Sequence, residues 1–354
     1  MSGDQHVRAR EFAAGLRTSV AQRVDGFETM AGRLVGEVAE RVALGGRRMP
    51  YHVAFLDDYV KAILPHDVVL IGAPTGIGKT ELAMHIATTN AAERNVAFFA
   101  LEAEPREIER RKKYALLLPH VWRSNPERAR DMNFTEWMLG DYEDVCAPHN
   151  RIVDIEIARS FGSMQTYYRG STFGAKELVA KIDEVHAYTD LIVIDHLHYI
   201  DDDEDDHGSI VKRIRDCALA HGKPVIVVAH MRKKDSASSA QAKKLVSALD
   251  DFHGSSNVTK IATQAIVLEV APRIEGEPYN LAPTFVQVLK DRRQGPCRQV
   301  ARVFYDMRMK EYRSAYTLGY VTANGSKWEA LGSAQVPAWA RRHEPLTAQT
   351  ETGS

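Results

Sequence analysis

The stretch Leu70–Thr80 reads LIGAPTGIGKT and decides the fold class of this 354-residue chain. An apolar run precedes it and a helical pattern follows it, which is the order of strand, glycine-rich loop and helix in a phosphate-binding loop. Gly76 and Gly78 let successive backbone N–H groups point at phosphate oxygens, and the new helix adds the positive end of its dipole. Lys79 is expected to reach the β- and γ-phosphates, and the Thr80 hydroxyl is expected to hold Mg²⁺. The sequence therefore predicts a site for a nucleoside triphosphate and Mg²⁺.

One position of this loop departs from the usual pattern. The first glycine of G-x-x-x-x-G-K-T is Ala73 here, and Gly72 stands one residue earlier. A small residue still fits a tight turn, so we expect the loop to form. The residues predicted to contact the nucleotide are Ala73, Pro74, Thr75, Gly76, Ile77, Gly78, Lys79, Thr80 and Glu81.

Composition bounds the function only loosely. Hydrophobic content of 44%, charged content of 26% and a formal net charge of −1 are typical of a soluble protein, so nucleic-acid binding would need local basic patches. No apolar run approaches the ~20 residues of a membrane span, and the polar N-terminus does not have the pattern of a secretory signal. The three cysteines have no metal-binding spacing. We expect a cytoplasmic protein without a membrane partner.

Continuous apolar runs predict buried strands at 96–101, 191–195 and 224–229. Helical patterns separate these runs, so the sequence predicts an α/β fold with a mainly parallel, doubly wound sheet. Such sheets bind ligands at the carboxyl ends of their strands. Further strands are predicted at 265–270, 284–289 and 300–305.

Polar side chains follow the first three strands. Asp195 ends the second strand, where it would hold Mg²⁺ through water. Glu102, just past the first strand, either activates the water that attacks the γ-phosphate or only adds charge to the start of the next helix. His230 ends the third strand, where it can contact the γ-phosphate. His196 and His198 have no cysteine or third histidine near them in sequence, so no zinc site is expected.

The N-terminal region carries apolar residues in steps of three and four over 8–44, which predicts either one long helix or a helix pair broken at Asp25-Gly26. Its apolar face would pack either on its own domain or on a neighbouring subunit. We predict a helical segment and linker at 1–50, a domain at 51–343 that carries the phosphate loop and the sheet, and a disordered tail at 344–354. The segment 118–173 suggests no role.

A polar, basic stretch follows the third strand. Such residues on a loop at the ligand edge suit the phosphate backbone of a nucleic acid, although an ordinary surface loop is the alternative. The candidates are Arg232, Lys233, Lys234, Lys243 and Lys244.

Taken together, the phosphate loop, FALE at 99–102 and LIVIDHLH at 191–198 resemble the motor domain of DnaB-type replicative helicases, a hexameric branch of the RecA-like ATPases. The resemblance runs from about Tyr51 to Tyr312. It implies a RecA-like core, and it implies that Glu102 is the water-activating base.

The stretch DFHGSSNV at 251–258 resembles the family's loop that grips single-stranded DNA. The arginine of the family's loop is His253 here. The resemblance implies DNA contacts from His253, Gly254, Ser255, Ser256 and Asn257.

The turn KDRRQGP at 290–296 resembles the family's Lys-x-Arg-x-Gly-Pro, which supplies a lysine and an arginine finger to the ATP of the neighbouring subunit. This chain has one residue more than the pattern. Lys290 with Arg292 keeps the Lys-x-Arg spacing, while Arg293 keeps the distance to Gly295-Pro296, so all three remain candidates. A finger that acts in trans implies a ring or filament of this chain, expected to be a hexamer.

The resemblance favours an ATP-dependent helicase or translocase that encircles single-stranded DNA in replication, with a loader or primase as an expected partner. One alternative is a RecA-like ATPase that forms a ring or filament as a switch or recruiter without unwinding. The other is a nucleotide-binding scaffold that does not hydrolyse ATP. Intact Lys79, Thr80, Glu102 and Asp195 argue against the scaffold.

Overall fold

The computed structural model describes residues 30–170, 172–200, 207–231, 245–252, 256–322 and 325–340. The chain divides into two units, residues 1–48 and 49–354. In the first unit, helices α1 (Met30–Leu34) and α2 (Glu37–Gly46) are separated at Gly36, whose φ of 97° is left-handed. The predicted break at Asp25-Gly26 and the predicted tail at 344–354 lie outside the described residues.

The second unit alternates strands and helices through most of its length. Its helices are α3 (Ala54–Tyr59), α4 (Lys79–Asn90), α5 (Glu107–Ser124), α6 (Pro126–Asp131), α7 (Phe134–Leu139), α8 (Glu143–Phe161), α9 (Ala175–Val185), α10 (His207–His221) and α11 (Ser256–Ile261). Its strands are β1 (Val68–Ala73), β2 (Val96–Ala100), β3 (Met164–Tyr168), β4 (Leu191–Asp195), β5 (Val225–His230), β6 (Gln264–Val270), β7 (Leu281–Asp291), β8 (Val300–Asp306), β9 (Glu311–Val321) and β10 (Trp328–Ala330).

The strands form one ten-stranded sheet in the order β10-β9-β8-β7-β6-β1-β5-β4-β2-β3. Strands β6, β1, β5, β4, β2 and β3 pair in parallel, and β7 to β10 continue the sheet as antiparallel hairpins. The predicted α/β fold, with a mainly parallel sheet flanked by helices, is confirmed. Strand β1 lies between β5 and β6, so the loop that follows β1 leaves from the middle of the sheet.

Helices cover both faces of the parallel part of the sheet. Val69 and Ile71 belong to an apolar cluster with α4, while Val68 and Leu70 belong to a second cluster with α9 and α10. Because both faces are buried, these strands are apolar without alternation. Desolvation of both faces fixes β1 in place, and with it the start of the phosphate loop.

The segment 118–173, which suggested no role, is structural in large part. Helices α5 to α8 carry a separate apolar cluster that includes Tyr114, Leu117 and Val153. Strand β3 then pairs with β2 at the sheet edge. In the described ranges, no helix is long and apolar enough to cross a membrane.

Candidate active site

The phosphate loop runs between the end of β1 at Ala73 and the start of α4 at Lys79. Gly76 and Gly78 have φ angles of +84° and +88°, which side chains rarely adopt. A Cβ atom on Gly76 would meet nothing within 4 Å, so the backbone angle, not crowding, demands glycine there. Positive φ angles ahead of a helix start are the geometry of an anion-binding loop.

Gly72 has a different reason to be glycine. A Cβ atom on it would lie 2.4 Å from a ring carbon of Phe252 and 3.1 Å from the Met231 sulfur. Ala73, by contrast, is an extended strand residue paired with His230. The position of the missing first glycine therefore has an ordinary strand conformation, which alanine adopts without strain.

The two Mg²⁺ candidates, Thr80 at the start of α4 and Asp195 at the end of β4, lie side by side. The Thr80 hydroxyl donates a hydrogen bond to a carboxylate oxygen of Asp195 at 3.2 Å. Burial, with a smaller contribution from the charge of Glu102, raises the pKa of Asp195 to about 7, while Thr80 and Lys79 oppose the rise. Burial also lowers the pKa of Lys79, and the charges of Glu102 and Asp195 oppose that change. A hydroxyl, a carboxylate and an ammonium group thus meet beside the phosphate loop, a set that fits Mg²⁺ and a triphosphate.

The backbone of Glu102 is hydrogen-bonded to Asp195. Its N–H donates to the Asp195 carbonyl at 3.4 Å, and the N–H of Leu101 donates to the same oxygen at 2.7 Å. The Glu102 side chain is 40% exposed, and one carboxylate oxygen lies 3.7 Å from Nε2 of His196. The carboxylate therefore stands at the mouth of the site, where water can reach it.

Four histidines gather at the tips of β4 and β5. The ring of His196 lies 3.9 Å from that of His230 and 5.1 Å from that of His198, measured between centroids. The ring of His198 lies 4.4 Å from that of His207. The expectation that His196 and His198 have no third histidine near them is wrong, because adjacent strand tips unite residues that are distant in sequence. Burial, followed by the nearby His230 and Lys79, lowers the pKa of His196 to about 2, so its ring is neutral.

The basic turn lies level with the amino end of the parallel strands, opposite the carboxyl end where the phosphate loop begins. Asp291, at the end of β7, pairs with Gln264 at the start of β6, and Gln264 pairs with Val69 near the start of β1. The phosphate loop follows the opposite end of β1. Across a strand with a rise of about 3.3 Å per residue, the turn is far from the phosphate loop of its own chain.

The three finger candidates have different surroundings. Arg293 forms ion pairs with Asp67 at 3.1 Å and with Asp291 at 3.6 Å. The Lys290 ammonium donates to two carbonyls of α11, those of Thr259 at 2.7 Å and Lys260 at 2.8 Å. Arg292 is exposed, and its side chain makes no hydrogen bond or ion pair within the part of the chain that the structure describes.

Glu81, one of the predicted nucleotide contacts, is engaged with protein groups. Its carboxylate pairs with Arg111 at 3.2 Å and accepts a hydrogen bond from the Tyr305 hydroxyl at 3.4 Å. A cavity of about 160 Å³ opens beside it, lined by Arg111, Lys112, Tyr114 and Lys310 among others.

The predicted nucleic-acid residues lie largely outside the described residues. This holds for Arg232, Lys233, Lys234, Lys243, Lys244, His253, Gly254 and Ser255, and for the side chains of Ser256 and Asn257. The residues that flank them are described: Met231 and Phe252 form an isolated antiparallel bridge. The Phe252 ring packs on Gly72, so both stretches begin beside the strand that carries the phosphate loop.

Sequence reasoning missed three features of this site: the contact of His196 with Glu102, the pairing of Glu81 with Arg111, and the packing of Phe252 on Gly72. The only local signal was a histidine directly after Asp195, which alone does not reveal its neighbour.

The doubly wound sheet, the loop after β1 and the carboxylates at the tips of β2 and β4 define the fold class of the P-loop nucleoside triphosphatases. Within that class, the family described as DnaB-like helicase C terminal domain matches residues 49–314. The chain belongs to this family.

Solved structures agree at the level of the fold. One of them, described as an ATPase domain, is 15% identical, covers 81% of this chain and 99% of its own, and has a TM-score of 0.61. A DnaB-like replicative helicase, described with its interactions with primase, is 15% identical, covers 92% of this chain and 74% of its own, and has a TM-score of 0.54. No curated protein matches the chain.

Proposed function

We propose that this protein is an ATP-driven helicase or translocase that acts as a ring, expected to be a hexamer, on single-stranded DNA in replication. The observation that carries the proposal is the position of the basic turn at the amino end of the parallel strands, whereas the phosphate loop lies at their carboxyl end. A finger there cannot serve its own nucleotide, so a second copy of the chain must complete each site. Membership of the DnaB-like family supports the same reading.

Within one subunit, five side chains act on the nucleotide and the attacking water. Thr80 and Asp195 would hold Mg²⁺, and Lys79 would neutralise phosphate charge. Bound Mg²⁺-ATP supplies the γ-phosphoryl group to be transferred to water. Glu102 accepts the proton of that water, and its exposed position at the mouth of the site suits this role. His230, at the tip of β5, contacts the γ-phosphate.

We assign the trans finger to Arg292. Arg293 is already engaged with Asp67 and Asp291, and the Lys290 ammonium caps α11. Arg292 is exposed at the same turn, where it can enter a neighbour's site. A guanidinium in this role is worth about 10³–10⁵ in turnover rate.

Coupling to DNA follows from where the predicted DNA-binding stretches begin. Met231 directly follows His230, and Phe252 packs on Gly72, one residue before the end of β1. A movement of residues at the γ-phosphate can therefore be transmitted to both stretches through a few packed residues. A primase or loader is an expected partner of the assembled ring.

The first test is ATP hydrolysis with and without single-stranded DNA, comparing wild type with Glu102→Gln. Glu102→Gln is expected to bind ATP, keep the oligomer and lower kcat by about 10²–10⁴, because the base is removed while the shape is kept. Glu104→Gln, a change of an exposed carboxylate in the same loop, is the matched control and is expected to hydrolyse ATP normally.

Two results would overturn the proposal. Unchanged turnover in Glu102→Gln would remove Glu102 from its role. Steady hydrolysis that is indifferent to single-stranded DNA would favour an ATPase switch over a translocase.

A further inference from the structure

His196 is a buried side chain beside the predicted base, and the proposed function gives it no role. Its ring is 0% exposed, and its Nδ1 accepts a hydrogen bond from the His198 backbone N–H at 3.3 Å. Because Nδ1 accepts this hydrogen bond, the ring proton is on Nε2. Among the described residues, Nε2 has no hydrogen-bond acceptor, and a carboxylate oxygen of Glu102 lies 3.7 Å away.

The ring that carries this N–H is held firmly. It meets the rings of His230 at 3.9 Å and Tyr199 at 5.5 Å, both edge to face. Glu102, in contrast, is a 40% exposed side chain with three rotatable bonds. A fixed donor therefore stands next to a movable carboxylate. Hydrogen bonds at such sites are often long before substrate binds and shorten in the reactive complex.

We propose that His196 is a positioning residue for Glu102. Its Nε2–H holds one carboxylate oxygen, so that the other is aimed at the attacking water. This inference rests on the proposed function, because it assumes that Glu102 is the base. Since His230 packs on the same imidazole, a movement of His230 when the γ-phosphate leaves would shift the donor and release Glu102.

The same side chains could instead hold a transition metal. Glu102, His196 and His230 offer ligand atoms within 4.8 Å of one another, and two histidines with a carboxylate suit Zn²⁺. However, the lone pair of His196 is on Nδ1 and already accepts the His198 N–H. The nitrogen that faces Glu102 carries a proton, so the arrangement favours a donor over a metal ligand.

Two amide substitutions separate the nitrogens of His196. His196→Asn can keep an acceptor for the His198 N–H but has no group at the Nε2 position. His196→Gln places an amide N–H near the Nε2 position. We expect H196N to lower kcat by about 10–10², the cost of a misplaced catalytic group, with the Kd for ATP unchanged. H196Q is expected to recover most of that loss.

A double-mutant cycle with Glu102→Gln gives the decisive readout. If His196 acts through Glu102, H196N should lower kcat by no more than about 2-fold in the E102Q background, because residues that act as a unit are not additive. Thermal unfolding of each variant checks that the fold is kept. If H196N does not fold, H196Q is compared instead with His196→Phe, which keeps a ring but has no donor at the Nε2 position.

Three results would overturn the inference. An equal loss from H196N in both backgrounds would show that His196 acts without Glu102, and so would a loss of ATP binding at unchanged kcat. A Co²⁺ absorption band in the wild type that H196N abolishes would indicate a metal site. If E102Q itself hydrolyses ATP normally, the proposed function fails first, and this result differs from a failure of the positioning role alone.

Discussion

Arg292 and Arg293 are neighbours in sequence, and we expect their removal to have opposite consequences. Arg293→Ala should destabilise the fold, because it breaks ion pairs inside one chain. Arg292→Ala should leave the fold intact and stop turnover, because we propose that its side chain serves the next subunit. Each variant is thus the control for the other.

The magnitudes follow from the surroundings of each arginine. Arg293 pairs with Asp67, which is 8% exposed, and Asp291, which is 3% exposed. Removing one partner of a buried ion pair costs about 3–5 kcal/mol. The Arg293 side chain is itself 32% exposed, so solvent screening reduces the expected loss to about 2 kcal/mol. For Arg292→Ala the change in unfolding free energy should stay within about 0.5 kcal/mol.

The trans role is tested by mixing subunits. R292A has an intact phosphate loop without a finger, and Lys79→Ala has an intact finger without a working loop. In a ring mixed at random from equal amounts, about one site in four joins the phosphate loop of an R292A subunit to the finger of a K79A subunit. Such a site should hydrolyse ATP. A mixture of K79A with E102Q is the control, since it forms no complete site. ATP hydrolysis, with urea unfolding of each variant, measures both effects.

The reasoning would be refuted if R293A lost turnover at unchanged stability. It would equally be refuted if R292A and K79A regained no activity on mixing, or if R292A lost stability. Such results would place the finger on Arg293 or within its own chain.

Two further predictions concern stability. Gly72→Ala should lower the free energy of unfolding by about 1–3 kcal/mol, because its methyl group would lie 2.4 Å from the Phe252 ring. The control, Ala73→Gly, should lower it by less than about 1 kcal/mol. Equal unfolding midpoints for the two variants would contradict this packing. Burial lowers the pKa of His85 from 6.5 to about 4, so the stability it contributes is complete above pH 6.5 and is lost as the pH falls towards 4. His85→Gln, which can keep the donor to the His52 carbonyl, should lose this acid sensitivity in urea unfolding, and parallel pH profiles for both proteins would refute it.

The central strands could be predicted because both of their faces are buried. Leu191–Asp195 was predicted with its observed bounds, and the strand predicted at 224–229 differs from β5 by one residue at each end. Strand β3, MQTYY, was missed because it lies at the edge and is mostly half-buried, so it needs no apolar run. Strand β9 was missed because its buried residues alternate with polar ones, a weaker signal than a continuous run.

Part of the candidate site could likewise be predicted from the sequence, and part could not. The structure brings Glu102, Asp195 and His230 together at the carboxyl end of the sheet, because they follow or end neighbouring parallel strands. This grouping follows from the sequence pattern and the sheet topology. The pairing of Arg293 with Asp67 joins positions more than 200 residues apart, and no local pattern reports it. Choosing among three similar finger candidates therefore needed the partners of each side chain, which only the packed structure supplies.

The bridge between Met231 and Phe252 also bears on how such a chain can evolve. It joins the two ends of the stretch 232–251. The described part of that stretch is attached to the sheet, because Leu245 and Val246 pack on a cluster with Phe285 and the Ser247 hydroxyl donates to the Glu269 carboxylate. We therefore expect insertions, deletions or new charges to be tolerated only before Leu245. Doubling the length of a flexible closed loop costs only about 0.6 kcal/mol. If the proposed function holds, the nucleic-acid preference of the chain could change by exchange of residues 232–244, while the core that carries the phosphate loop is inherited unchanged.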